Sequence, residues 1–356
     1  MAITTVLTAA EVFFPLDEQL ELWEKHWSEG LAKEAVWISG VVDSFEEAAT
    51  VFKRIGHVSM SDSSIWRRLE RWGEGFKALE AEQRRQATAL PRRDERREVR
   101  AGQSAGRMGV SVDGSKIHIR DEGWKELKVG CVFDIEVRPT WDKESKEWVD
   151  LAHAIHTSYV GYLGGPEELG QMVWADAQRR GWDQAADTQV VGDGAVWIWN
   201  LAAEHFYDSK QTVDWYHATE HLFTAAQLLY GEDTASVQRW YKGAQTALFQ
   251  GHAEQVAAKL TQAAECQPKV AEALLTEAGY FDKNKRRMQY LEIREEGYLL
   301  GSGMVESGGK QFKARFCGSG MRWSRPGAER LIPVRAAILS DRFDETWQIV
   351  YNSPPN

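Results

Sequence analysis

Hydrophobic residues recur at helical spacing over roughly the first hundred positions of the chain. Apolar residues separated by three or four positions predict helices over 16–40, 44–56 and 61–90. The last two flank a short glycine-containing turn, and Ser61 is placed to cap the third helix, whose inner face would carry Ile65, Leu69 and Trp72. Helix, turn and capped basic helix form a helix-turn-helix outline, which is equally compatible with a plain helical bundle.

The pattern changes to alternation after residue 107. Three segments alternate Val, Ile and Tyr with polar residues and are joined by short turns, which predicts three antiparallel strands over 108–120, 123–138 and 147–164. A helix over 166–181 and a strand that ends in Gly192-Asp193-Gly194 follow, and helical spacing then dominates from 217 to 295. We therefore expect an α/β protein with a mixed sheet whose first three strands are antiparallel.

Length, composition and charge narrow the class of protein. A chain of 356 residues suggests two or three units, and 43% hydrophobic residues are typical of a globular protein. No apolar run reaches the ~18 residues of a membrane helix, and no basic segment of a signal peptide is evident, so we expect a cytoplasmic location and no membrane partner. Three distant cysteines predict neither disulfides nor a cysteine-rich zinc module.

Three acidic residues stand out as candidate metal ligands. Asp113 and Asp193 each precede a glycine, on or just after a predicted strand, and Glu306 begins a helix followed by basic residues. Two carboxylates from neighbouring strands and a third from a helix could hold two Mg²⁺ or Mn²⁺ ions for phosphodiester chemistry. Asp-Gly is also a common turn dipeptide, and an acidic residue suits any first helical turn.

Several sequence blocks between about Gly109 and the C-terminus are distinctive. They are VSVDG (110–114), VVGDGAVWIWNL (190–201), DWYHATEH (214–221) and GSGMVES with FKARFCGSGMRWS (301–324). These blocks resemble those of bacterial insertion-sequence transposases of the DDE type, specifically the ISKra group. The resemblance implies an RNase H-like catalytic core interrupted by an all-helical insertion. It also implies a catalytic, metal-binding triad of Asp113, Asp193 and Glu306.

The resemblance further implies a supporting Asp-x-x-His element formed by Asp214 and His217. By spacing alone, His217 and His221 would also suit zinc, but no cysteine or third histidine accompanies them. Basic and aromatic side chains are candidates for contacts with double-stranded DNA, and Trp323 for stacking on an unpaired base. The predicted DNA-binding residues are Arg67, Arg68, Lys310, Lys313, Arg315, Arg322 and Trp323.

The expected organisation has four parts. Residues 1–105 would form the helical, helix-turn-helix-like DNA-binding domain and its linker, 106–216 the first part of the core, 217–295 the insertion and 296–356 the rest of the core. The expected function is metal-dependent cleavage and strand transfer at transposon ends, by at least a dimer bound to DNA of the nucleoid.

Two other functions are compatible with parts of the pattern. A non-catalytic DNA-binding protein derived from a transposase would keep the fold without needing the carboxylates. A glycosidase would use paired acids and tryptophans, but it leaves the basic helix after Glu306 without a role. The formal net charge of −10 does not favour general nucleic-acid coating, so any DNA contact must depend on local basic surface.

Overall fold

The computed structural model describes residues 27–89, 106–142, 146–318 and 320–353. Three N-terminal helices precede the sheet, and these are α1 (Glu29–Val41), α2 (Phe45–Arg54) and α3 (Asp62–Thr88). The five strands are β1 (Arg107–Ile119), β2 (Gly123–Asp142), β3 (Glu147–Tyr162), β4 (Thr188–Gly192) and β5 (Lys210–Val213). Helices α4 (Pro166–Arg179) and α5 (Val196–His205) precede and follow β4. The strands expected from alternation are confirmed.

The sheet has the strand order β3-β2-β1-β4-β5. Strands β1, β2 and β3 pair antiparallel, whereas β4 runs parallel to β1 and β5 runs parallel to β4. Short antiparallel connections require only tight turns, while the parallel strands are reached through the helical crossovers α4 and α5. The prediction of a mixed sheet with three antiparallel strands at its start is confirmed.

Helices fill the segment between β5 and residue 295. They are α6 (Trp215–Tyr230), α7 (Thr234–Phe249), α8 (Ala253–Cys266), α9 (Ala271–Asn284) and α10 (Tyr290–Glu295). The segment is helical as its spacing predicts. Nowhere in the described ranges is a helix both long and apolar enough to cross a bilayer.

The two faces of the sheet contribute to two different hydrophobic cores. Met108, Val110 and Val112 of β1 face the core that contains α4, α5 and the helices after β5. Ile117 and Ile119, at the far end of the same strand, face the core formed with the N-terminal and C-terminal helices. Alternation along β1 therefore places α4, α5 and α6–α10 on one face of the sheet and the N-terminal and C-terminal helices on the other.

The C-terminal segment holds three helices: α11 (Gly303–Phe316), α12 (Arg325–Leu339) and α13 (Phe343–Tyr351). The spacing over 326–350 predicts one closing helix with an internal proline. Pro333 does lie inside α12, but the segment forms two helices, and the break follows at Ser340, where Asp341 has a positive φ of 53°. The backbone conformation at Asp341, rather than the proline, divides the segment.

The N-terminal helices pack against the C-terminal ones. Ser61 caps α3 by accepting a hydrogen bond from the Ser64 amide, as predicted, and Ile65, Leu69 and Trp72 are fully buried. Trp72 packs against the rings of Trp347 and Tyr351 in α13, at centroid distances of 5.1 and 5.3 Å. Helices α1–α3 thus share a core with α12 and α13. The linker predicted at 91–105 lies outside the described residues, and the four-part division stays a prediction.

A carboxylate pair and the helix that faces it

Asp113 and Asp193 occupy equivalent positions on neighbouring parallel strands. Ser111 of β1 lies beside Val191 of β4 in the register of this pair. Two residues further along each strand come Asp113, within β1, and Asp193, directly after β4. Side chains two residues apart on a strand point to the same face. The sheet therefore brings the two carboxylates together at the carboxyl end of β4.

The electrostatic environment of Asp113 is consistent with this proximity. Burial raises the pKa of the Asp113 carboxyl above its usual value, and the negative charge of Asp193 raises it further. The Gly114 amide donates to Asp113 Oδ1 over 2.6 Å. This hydrogen bond, together with the nearby His217 and Lys313, lowers the pKa of Asp113 and so partly offsets the increase. The pair is thus a like-charge site with basic groups near it.

The loop that carries Asp193 is fixed from two sides. The Ala195 amide donates to Asp193 Oδ1 over 2.8 Å, and Gly194 has a φ of +101°, which favours glycine. Tyr280 of α9 donates its hydroxyl proton to the Asp193 carbonyl oxygen over 2.9 Å. A Cβ added to Gly194 would lie only 2.7 Å from Cε2 of the Tyr280 ring. The helices after β5 therefore support the aspartate loop directly.

Tyr280 itself is held by a histidine. The rings of His221 and Tyr280 stack with a centroid distance of 3.7 Å, and His221 Nδ1 lies 2.7 Å from a Glu277 carboxylate oxygen. Sequence reasoning did not find Tyr280, because it belongs to an ordinary amphipathic helix and nothing in its local sequence marks it. His221 contacts the site through Tyr280, and this contact explains its place in the conspicuous block 214–221.

Helix α11 brings Glu306 to the same face of the sheet as Asp113. A Cβ on Gly309 would stand 3.3 Å from the hydroxyl oxygen of Ser115, and Ser115 shares the face of Asp113 on β1. Glu306 lies one helical turn before Gly309, on the same side of α11. Its side chain is 35% exposed, and its carboxylate is 3.9 Å from the ammonium of Lys310. Glu306 thus faces the strand that carries Asp113.

Asp214 is fully buried and joins two helices that border the site. It caps α6, since its Oδ1 accepts a hydrogen bond of 2.9 Å from the His217 amide. Its Oδ2 accepts from both the amide and the hydroxyl of Ser302, the residue that precedes α11, the hydroxyl contact being 2.7 Å. The predicted supporting residue therefore positions the helix of Glu306.

The donor set suits a divalent cation only in part. Carboxylate oxygens are the ligands that Mg²⁺ and Mn²⁺ prefer, and a cation would relieve the repulsion between Asp113 and Asp193. Within the described ranges, no three His, Cys, Asp or Glu side chains come together as a metal-binding group. The pair fits a divalent ion, while Glu306 stands outside it. The same finding covers His217 and His221, whose spacing alone suited zinc.

Several of the predicted DNA contacts lie on the surface. Lys310 and Lys313 are exposed on α11, and Arg322 is exposed in the loop that follows it. On α3, Arg67 is exposed, whereas Arg68 is partly buried, with its guanidinium carbon 4.5 Å from the centre of the Trp27 ring. The exposed members of this group can reach phosphates.

Arg315 and Trp323 lie inside the protein rather than on the surface expected of them. Arg315 is 1% exposed, and its guanidinium donates to the carbonyls of Ser39 and Asp43 over 2.7 and 3.2 Å. Trp323 is 7% exposed and donates its indole N–H to the Phe316 carbonyl over 3.2 Å. Tertiary packing thus turns a basic residue and an aromatic residue of the C-terminal motif into internal contacts.

No family model and no curated protein matches the chain. Its function therefore has to be inferred from the geometry of the site.

Proposed function

We propose that this chain is a DDE transposase of insertion-sequence type, similar to the ISKra group, which binds terminal inverted repeats, cleaves DNA strands and transfers them. The observation that carries the proposal is the side-by-side placement of Asp113 and Asp193 on neighbouring parallel strands. Two hard-oxygen ligands held by a sheet are a suitable base for metal-dependent phosphodiester chemistry.

The architecture supports the same proposal. A mixed sheet whose first three strands are antiparallel is what we expected of an RNase H-like core, and the observed strand order β3-β2-β1-β4-β5 is compatible with it. A helical segment separates Asp193 from the helix of Glu306, as the resemblance implies. That helix returns to the face of the sheet that carries Asp113. The proposal thus accounts for both the order and the spacing of the three acidic residues.

Each residue has a stated role in this proposal. Asp113 and Asp193 would hold Mg²⁺ or Mn²⁺, two ions in all, with Glu306 as the third protein ligand. Bound ions of this kind activate the attacking oxygen and stabilise the leaving oxygen of a phosphodiester. Lys310 and Lys313 would contact DNA phosphates beside the cut strand. Work at two transposon ends would require at least a dimer on nucleoid DNA.

The test is strand cleavage of a DNA fragment that carries the element's own ends. The intact protein should nick the end junction with Mg²⁺ or Mn²⁺ and should not do so in EDTA. Asp193→Asn and Glu306→Gln should abolish nicking while leaving end binding intact. Glu265→Gln, at an exposed glutamate of α8, is the matched control and should cut like the wild type. Nicking by Asp193→Asn at the wild-type rate would contradict the proposal.

One observation favours a second candidate function. Because the described residues do not assemble a three-ligand metal group, a DNA-binding protein that derives from a transposase and no longer cuts is the alternative. It predicts tight, metal-independent binding to the ends, with no nicking by the wild type or by either variant. The nicking assay therefore distinguishes the two functions directly.

A further inference from the structure

A cavity separate from the carboxylate pair opens at the far end of β1. Its volume is about 450 Å³, and it lies between the start of α2, the residues after β1 and the loop from α11 to α12. The lining residues come from all three places, and they are Asp43, Ser44, Phe45, Trp66, Arg120, Arg315, Met321, Arg322, Trp323 and Ser324. Arg315, Arg322 and Trp323 are among the predicted DNA contacts, but the proposed function gives the cavity itself no role.

Positive charge dominates the lining. Arg120 and Arg322 are exposed and adjacent, since Arg120 Nη2 donates to the Arg322 carbonyl over 3.3 Å. Neither guanidinium forms an ion pair with any residue that the structure describes. The lining holds three arginines, the third being Arg315, and one acidic residue, Asp43. The cavity therefore favours an anion, and guanidinium groups are well suited to phosphate.

Arg315 adds a buried donor that has no acceptor. Its Nε and Nη1 donate to backbone carbonyls, but Nη2 is buried and has no hydrogen-bond partner among the described residues. Buried donors are rarely left unpaired, because the cost is about 1–3 kcal/mol. The guanidinium carbon of Arg315 lies 4.8 Å from the centre of the Trp323 ring and 5.3 Å from that of Phe45, so Arg315 adds a buried positive charge behind the aromatic lining of the cavity.

Two helices begin at this cavity. Ser44 caps α2 and Ser324 caps α12, and both serines belong to the lining. The amino-terminal ends of helices carry partial positive charge and bind phosphate groups. Asp43 and the acidic first turn of α2 offset this effect at one end, whereas the first turn of α12 has no acidic residue. The end of α12 therefore adds to the attraction for an anion.

Aromatic rings form the remaining wall. The rings of Phe45 and Trp66 meet edge to face at 5.4 Å, and those of Phe45 and Trp323 at 6.3 Å. Base stacking on such side chains occurs with every nucleobase and contributes about 1–3 kcal/mol per base. A ligand that combines a flat ring with a phosphate matches both halves of the lining.

We propose that this cavity binds one unpaired nucleotide, with its phosphate on Arg120 and Arg322 and its base against Phe45 and Trp66. Where the bound nucleotide is part of a DNA strand, this inference rests on the proposed function. Between Glu306 and Arg315, both within α11, the helix rises roughly 14 Å. Exposed Lys310 and Lys313 lie between these ends. A strand that leaves the carboxylate pair along α11 would thus reach the cavity.

The experiment uses the full chain and DNA duplexes that carry 2-aminopurine, either in a one-nucleotide overhang or within a blunt end. Stacking in the cavity should quench the overhang probe and make the overhang duplex bind more tightly than the blunt one. Arg120→Ala combined with Arg322→Ala should weaken overhang binding on the order of tenfold more than it weakens blunt-duplex binding, since Arg322 is also a predicted contact to the duplex. The control is Arg239→Ala, an exposed arginine of α7. Thermal unfolding should confirm that the double variant is folded.

Three outcomes overturn the proposal: no preference for the overhang, an unaffected double variant, or an equal loss with Arg239→Ala. Competition with deoxyadenosine monophosphate identifies the source of the ligand. Displacement of the overhang by low concentrations of the free nucleotide, lost in the double variant, would identify a free nucleotide as the occupant, whereas displacement only by oligonucleotides would identify a DNA strand.

The cavity and the catalytic proposal fail separately. If the overhang is bound through the two arginines but no nicking occurs with any metal, the cavity proposal holds and the transposase proposal falls. If nicking depends on Asp193 while the double variant binds the overhang like the wild type, the reverse is true.

Discussion

The two halves of the candidate site are held in place by different means. Asp113 and Asp193 come from neighbouring strands, and the backbone ladder of the sheet fixes their separation. Glu306 comes from a helix, whose position depends on the buried contact between Asp214 and Ser302 and on the close approach of Gly309 to β1. The pair is therefore built into the sheet, while the third acid depends on side-chain contacts that a single substitution can remove.

The largest expected effect comes from the strand-borne half. Asp113→Asn should lower nicking by more than about a hundredfold, since Asp113 is a direct ligand in the proposed function and residues that only support ligands typically account for 10- to 100-fold. Because burial and Asp193 raise the pKa of Asp113 by more than the Gly114 amide, His217 and Lys313 lower it, the same change removes an unfavourable charge at neutral pH. Urea unfolding should therefore show a more stable protein that does not cut. A less stable variant would contradict the like-charge description.

The helix-borne half should respond through Asp214. Asp214→Ala leaves buried donors of His217 and Ser302 unpaired and should cost about 3 kcal/mol in urea unfolding. It should also lower nicking roughly 10- to 100-fold. Asp233, an exposed helix cap that accepts from the Ser236 amide over 3.2 Å, is the matched control, and Asp233→Ala should cost only about 1 kcal/mol with normal nicking. Equal effects of the two changes would show that Asp214 is an ordinary cap.

A carboxyl away from the site tests the effect of burial alone. Burial raises the pKa of Glu80 to about 8 from the 4.5 of an exposed group, although Arg342 opposes the shift. The folded protein then holds this proton more tightly than the unfolded chain, so stability falls as pH rises between these two values. Glu80→Gln should remove a loss on the order of 4 kcal/mol between pH 5 and pH 8.5.

Chemical unfolding at several pH values measures this change. The control is Glu34→Gln, an exposed glutamate of α1, which should keep the wild-type pH profile. A profile unchanged by Glu80→Gln would place the pH dependence elsewhere, with Asp113 as the next group to test.

The smallest expected effect concerns Tyr280, which supports the strand-borne half from outside the sheet. Tyr280→Phe removes one hydrogen bond to the Asp193 carbonyl and should cost about 1 kcal/mol. The nicking rate should fall while DNA affinity stays constant, because only the aspartate loop is loosened. Tyr241→Phe, which removes a hydroxyl 3.4 Å from the Gln245 amide nitrogen, should change neither quantity. Equal losses of rate and affinity would mean a general folding defect.

The sequence predicted the elements of this molecule better than their contacts. Alternation gave β1–β3, and Ser61 marked the start of α3, because both signals are local. Asp113 and Asp193 could be singled out from the glycines beside them, but their placement side by side in the sheet follows from the register of β1 and β4. Register between strands some eighty positions apart is a tertiary property, which local spacing does not determine.

Burial explains the main differences. Arg315 and Trp323 belong to a basic, glycine-rich motif, which predicts exposed side chains. The backbone pairing of Ile119 with Trp323 instead places the motif against the N-terminal helices, where both side chains are buried. The spacing over 326–350 predicted one helix, yet α12 ends at Leu339, since Asp341 has a positive φ that does not continue the helix. Tyr280 gave no local signal because its importance comes only from the loop it touches.

The core shared by α1–α3 with α12 and α13 has a consequence for how DNA would be measured. The guanidinium of Arg315 ties α11 to the carbonyls of Ser39 and Asp43, at either end of the α1–α2 junction. If the exposed Arg67 of α3 contacts a terminal repeat, this shared core positions both the recognised bases and the cut bond. The distance between them would then be a fixed number of base pairs, and inserting one pair in the repeat would shift the cut by one pair.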